Sequence, residues 1–248
     1  MPNDQDLPEV IRPNLLRQAR GPRGRRLKAA LGAAVLLTSA SLAIAASPAL
    51  AAQKCTYYVN GFTDITVQSG EVACGGGGDD TVLNVYGTFN GGAGTDTVYR
   101  TVFGTFNGGS GNDSAETVAP GGTFNGGAGS DKVYLGVFGT FNGGSGADLA
   151  MYTVLGTFNG GPGADGVGEL YVGGTFNGGT GDDHALYVGG TFNGGPGLDG
   201  VGELYVGGTF NGGDDSDAVT YMYGGMFDGG NGIDTVVNYY GGTLISVP

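Results

Sequence analysis

Ten aspartates carry the chemistry that this sequence offers. Asp80, Asp96, Asp113, Asp131, Asp148, Asp165, Asp183, Asp199, Asp217 and Asp234 each close a Gly-Gly-x-Gly-x-Asp stretch, with Asp215 replacing the third glycine in the ninth. The spacing is fixed: Phe89 precedes Asp96, Phe106 precedes Asp113, and Phe227 precedes Asp234, each by seven residues. A carboxylate repeated beside glycine turns that can aim their carbonyls is an oxygen donor set for a hard cation. Calcium accepts such ligands in flexible geometry, whereas magnesium demands a tighter octahedron and keeps its waters. The 56 glycines of the 248-residue chain are costly to order, so something must offset their entropy. A bound cation is the expected agent. The expected carbonyl donors are Gly91 and Gly94, Gly108 and Gly111, Gly126 and Gly129, and Gly143 and Gly146.

The elements that position these aspartates follow from the repeat. Gly-Thr-Phe-Asn-Gly-Gly begins at Gly87, Gly104, Gly122, Gly139, Gly156, Gly174, Gly190 and Gly208, with Gly-Met-Phe-Asp-Gly-Gly at Gly225. Length variation falls between each Asp and the next Thr, as in a surface loop, and the half ending in Asp is constant. Each period reads as a short strand around an apolar residue, a variable turn, a strand Thr-Phe-Asn, and a Gly-Gly-x-Gly-x-Asp turn. A lone coil of this kind buries almost nothing, so the coils must stack. The expected fold is all-β: a right-handed parallel β-solenoid (β-roll or β-helix) of about ten coils, each of about 17 residues. Alternation sends Phe inward and Thr and Asn outward. Val82, Val98, Ala115, Val133, Ala150, Val167, Ala185, Val201, Val219 and Val236 form an opposing small column. A third column is expected at Val85, Val102, Val137, Val154, Val172, Val188 and Val206. Stacking would set the aspartates about 5 Å apart, where like charges repel by about 1 kcal/mol in water and several-fold more near a protein surface.

Segments such as GGAGTDTVY (91–99), GGSGNDSAE (108–116) and GGNGIDTVV (229–237) resemble the nonapeptide G-G-x-G-x-D-x-U-x of the RTX, or hemolysin-type, calcium-binding repeat family, where U is apolar. Ten such segments run in register through 75–237. The resemblance implies calcium held between stacked turns. The chain departs from the family in writing one nonapeptide per coil, alternating with about eight other residues, so metal-type turns are expected along one edge only. Family members usually leave the cell through a C-terminal signal, so a toxin role is not carried over.

The first 51 residues differ in kind. Residues 1–28 hold seven of the ten basic residues, an apolar run spans Ala29 to about Ala46, and Ser47-Pro48-Ala49-Leu50-Ala51 ends in an A-x-A pattern. This reads as a signal peptide over 1–51, with the Arg25-Arg26 pair compatible with either export route. The expected destination is extracellular, secreted from a bacterial cell. Residues 52–248 carry three basic and twenty acidic residues, a net charge of −17. That excludes nucleic acid and anionic lipid as natural partners and favours cations. Cys55 and Cys74 are expected to form a disulfide on an N-terminal cap over 52–74, with repeats over 75–241 and a degenerate coil over 242–248.

No catalytic constellation is legible, and the chain is expected not to be an enzyme. His184 is the only histidine, and Asp64, Glu116, Glu169 and Glu203 are the only carboxylates that break the repeat; Glu169 and Glu203 recur in near-identical segments. The expected function is a secreted calcium-binding solenoid, structural or adhesive at the cell surface or matrix. The rival is an ice- or carbohydrate-binding surface. It would use the Thr88 to Thr209 and Asn90 to Asn211 files, or the tyrosines Tyr99, Tyr134, Tyr152, Tyr171, Tyr187, Tyr205, Tyr221 and Tyr239. Expected partners are calcium, with a cell-surface glycan or a second copy through the open last coil as candidates.

Overall fold

The computed structural model describes residues 54–247; the expected signal peptide lies outside them. The chain winds as an all-β parallel solenoid of about eleven turns, each of about 17 residues. Each turn gives one strand to each of two parallel sheets. The first sheet runs from Tyr57–Tyr58 through Val72–Gly77, Thr88–Ala93, Thr105–Ser110 and their successors to Met226–Asn231 and Thr243–Ile245. The second runs from Thr66–Val67 and Asn84–Val85 through Thr97–Val102 and its successors to Thr235–Tyr239. Register is one repeat per step, so like residues meet like: Thr123 pairs Thr140, Phe124 pairs Phe141 and Asn125 pairs Asn142.

The core is a narrow slot between the sheets. Every repeat phenylalanine from Phe89 to Phe227 is buried, and neighbouring rings stack with centroids 4.6 to 5.2 Å apart. The Val/Ala column opposite is buried from Val82 to Val219, a large file against a small one. One expected column is corrected. Val85, Val102, Val137, Val154 and Val188 are buried, but Val172 is 72% exposed and Val206 79% exposed. Their places are taken by Leu170 and Leu204, which pair with Val154 and Val188. These second-sheet strands end two residues early, so the variable turn starts sooner and the valine falls on its outside. Counting back from Gly-Thr therefore picks the wrong residue wherever the turn lengthens.

Strand limits differ from expectation as well. The first-sheet strand continues through Gly-Gly-x, as in Thr123–Ala128, so the glycine pair lies within the ladder and the turn is only Gly-x-Asp. The segment expected as a separate cap already supplies strands to both sheets, which adds a turn to the expected ten. The Cys55–Cys74 disulfide is formed, with Cα atoms 5.8 Å apart, and staples the first coil to the second. Among the described residues no helix is long and apolar enough to cross a membrane.

Candidate metal centre: a file of buried aspartates

Along Thr-Phe-Asn-Gly-Gly the side chains alternate out, in, out, in, out. The first glycine of each pair therefore faces the core beside Phe, and Gly91, Gly108, Gly126 and Gly143 are all buried. A Cβ on any of them would collide with the Oδ2 of the aspartate five residues later, Asp96 for Gly91 and Asp131 for Gly126. Glycine stands there because the aspartate side chain turns back into the solenoid and occupies the slot. The next two glycines serve the backbone: Gly92 has φ +115° and Gly94 +128°, a region open to glycine at no steric cost. Asp215 holds the third-glycine position at φ 79°.

All ten aspartates are at most 2% exposed. Their hydrogen bonds run coil to coil. The backbone N–H of each aspartate donates to Oδ1 of the aspartate in the following coil: Asp96 to Asp113, Asp113 to Asp131 and Asp131 to Asp148, each at 2.7 Å. The file continues to Asp217 donating to Asp234 at 2.9 Å, and Gly61 N–H closes its start on Asp80. Oδ2 has no partner in any of the ten. Buried polar groups are nearly always paired, so ten identical orphans in one line mark a site waiting for a cation or a proton.

Burial is the main force on these carboxyls. It pushes Asp96, Asp113, Asp148 and Asp199 up to about 6, and Asp131, Asp183 and Asp217 up to about 7. The donated N–H opposes the rise, and the neighbouring carboxylates of the file reinforce it for Asp96, Asp131, Asp148, Asp183 and Asp217. Asp165 is raised as well, by burial first.

The donor chemistry fits a hard cation. The carbonyl oxygens of Gly91, Gly143, Gly178, Gly212 and Gly229 each lie 2.5 to 2.7 Å from the point where the preceding coil's inward glycine would carry a Cβ. The orphaned Oδ2 flanks the same point. Carboxylate and carbonyl oxygens thus approach the same point in these five coils. Among the described residues no three His, Cys, Asp or Glu side chains gather at one place. A cation here would therefore draw on neighbouring aspartates and on backbone carbonyls. The other expected donors behave differently. The carbonyls of Gly94, Gly111, Gly129 and Gly146 run along the solenoid axis and abut the third glycine of the next coil.

The other singled-out residues lie apart from this file. Asn107 Nδ2 donates to Asn90 Oδ1 at 2.7 Å, and the ladder continues through Asn125, Asn142, Asn159, Asn177 and Asn193 to Asn211. Glu169 accepts from Tyr171 at 2.7 Å, Glu203 accepts from Tyr205, and His184 lies exposed over Gly200. The inward turn of the aspartates was available from the sequence, because strict alternation from Phe already places the first glycine inside. Compared with protein-family models, with curated proteins and with solved structures, the chain matches none of them.

Proposed function

We propose that this protein is a secreted, calcium-stabilised β-solenoid whose metal lies along the aspartate file, in the manner of a one-edged RTX-like repeat. The observation that carries this is the ten buried, partnerless Oδ2 atoms, with a glycine carbonyl of the next coil approaching the same slot in five of the coils. Calcium supplies positive charge and a demand for six or more oxygens, which such a file can meet only through backbone as well as side chains. Binding and folding would be coupled, since the file exists only in the stacked state. The role is structural or adhesive: a stack of like coils stapled by a disulfide at its start. The basic-then-apolar leader and the disulfide both support an extracellular destination. The test is far-UV circular dichroism of the chain in chelator, titrated with calcium and separately with magnesium. Growth of the β signal with calcium alone is expected. A chain fully folded in chelator and unmoved by calcium refutes the reading.

One observation favours a second reading. Thr105, Thr123, Thr140, Thr157, Thr175, Thr191 and Thr209 fall in strict cross-strand register beside the Asn ladder, an uncharged and regular face. Ice binding by that face predicts thermal hysteresis that Thr157→Lys abolishes.

A further inference from the structure

The variable turns of three successive coils form a wall, a floor and a wall. The residue that opens each turn donates its backbone N–H one coil back: Tyr171 to Val154, Gly189 to Leu170, Tyr205 to Val188, Tyr223 to Leu204 and Tyr240 to Met222. These five residues therefore stand in one row, one coil apart. The rings of Tyr205, Tyr223 and Tyr240 stack along it, with centroids 5.4 and 5.3 Å apart. At Gly189 the row has no ring. The turn is short there as well: Gly190 follows Val188 by two residues, whereas Gly174 follows Leu170, and Gly208 follows Leu204, by four. The longer turns carry the exposed Val172 and Val206 on either side, and a cavity of about 400 Å³ opens between them. Tyr171, Tyr187, Tyr205 and Glu169 line it together with the two valines.

Nothing in the backbone calls for glycine at 189. Its φ lies outside the left-handed region, and a Cβ there would meet only ordinary contacts, the nearest at 3.6 Å. What the glycine does is leave the place of a ring open. The polar chemistry around that place is one-sided. Glu169 Oε2 accepts the Tyr171 hydroxyl at 2.7 Å, and Glu203 accepts the Tyr205 hydroxyl on the far wall. The hydroxyl donors of both walls are thus spent, and the walls offer rings and carboxylate. A sugar needs donors as well as acceptors. A cation needs only acceptors and π faces, and residues 52–248 carry a net charge of −17 to draw it in.

We propose that this slot binds an organic cation of the quaternary ammonium class, the trimethylammonium head of a choline-type ligand, in the place of the missing ring. Tyr171 and Tyr205 stand two coils apart, about 9.6 Å at the usual strand spacing. Tyr205 faces along the row, since its other side stacks on Tyr223, and the same Glu-x-Tyr bond holds Tyr171. A cation midway lies about 4.8 Å from each ring, inside the ~6 Å over which an aromatic face attracts it. A flat guanidinium stacked at about 3.5 Å on one ring would stand about 6 Å from the other. A methylated ammonium is round and reaches both. Glu169 supplies the countercharge, and Val172 and Val206 cover the apolar body of the ligand. The inference uses the exposed turns only and is independent of the calcium reading.

Calorimetric titration of the full chain with choline tests it, with calcium present and at about 0.15 M salt, where diffuse attraction to the acidic chain is screened. Choline and tetramethylammonium bind saturably. The uncharged isostere of choline, with carbon in place of nitrogen, binds about tenfold more weakly or worse. Tyr171→Leu and Tyr205→Leu each weaken choline binding by about fivefold or more. Glu169→Gln does the same while keeping an acceptor for the Tyr171 hydroxyl. Gly189→Tyr supplies the missing ring and abolishes binding, with the circular dichroism and Tm of the parent. Vesicles of phosphatidylcholine separate the two sources of such a head group. Parent chain that pellets with them while Gly189→Tyr stays in solution assigns a lipid, and choline binding without pelleting assigns a free solute; either supports the proposed class. No saturable binding of either cation, equal binding of the isostere, or a folded Gly189→Tyr chain that binds choline like the parent overturns the inference.

Discussion

Replacing one aspartate of the file by its isosteric amide separates the roles of its two oxygens. In Asp131 the Oδ1 atom accepts the Asp113 N–H at 2.7 Å, and Asp131→Asn keeps that bond. Oδ2 is buried without a partner. It flanks the point over Gly126 that the Gly143 carbonyl oxygen approaches to 2.6 Å, so a further acceptor lies at the same slot. The amide puts an N–H donor where the orphan was. A buried unsatisfied polar group costs about 1–3 kcal/mol, and more when charged. Relieving one should therefore stabilise the metal-free protein by about that amount. Each kcal/mol moves Tm by about 2–4 °C in a protein of this size. Thermal unfolding in chelator is the assay, and Asp131→Asn is expected to melt several degrees above the parent. In excess calcium the order narrows or reverses, because the amide removes one negative ligand from the file and ligand linkage to the native state weakens. A variant that melts lower than the parent in chelator would show that Oδ2 is already satisfied there, and the orphan argument would fail.

Other expectations follow from the same structure. The metal-free protein should lose stability as pH rises. Asp96, Asp113, Asp148 and Asp199 sit at about 6 and Asp131, Asp183 and Asp217 at about 7 when folded, against about 4 when unfolded, so the native state holds more protons between those values. Its Tm in chelator should climb from pH 8 to pH 5, while calcium, which needs the ionised form, flattens or inverts the trend; a chelated Tm that falls on acidification refutes this. Phe158→Ala should cost about 3–5 kcal/mol, towards the upper end because the ring stacks on Phe141 at 4.6 Å and on Phe176 at 4.9 Å; urea unfolding measures it. Asp215→Gly should stabilise by about 0.5–1 kcal/mol, since a side chain at φ 79° is strained and glycine is not; a loss in urea would show that the carboxylate has a partner.

The periodic sequence declared most of this architecture. Fixed spacing from Phe to Asp told which half of the coil must align, and the Phe and Val/Ala columns lie where alternation puts them. The sequence was less legible where one residue was traded for another at unchanged polarity. Leu170 and Leu204 replace Val172 and Val206 because a lengthened turn shifts the end of the strand, which spacing from Gly-Thr cannot register. The aspartates were readable as a file, but not the division of labour within each carboxylate, because Oδ1 is claimed by a backbone N–H of a different coil.

The coil-to-coil hydrogen bonds of the aspartates all point one way. Each coil's Asp N–H is satisfied by the carboxylate of the coil after it, so a coil is finished by its successor. At the start, Gly61 and the disulfide close the file. At the far end Asp234 has no later aspartate among the described residues to receive its N–H, and Leu244 stands partly open where Phe would be. The ladder therefore has a direction. Loss of any one coil uncaps the coil before it, so damage should spread from there toward Asp80 one coil at a time. In a repeat structure, where every unit leans only on its neighbours, that polarity makes the two sides of a damaged coil unequal.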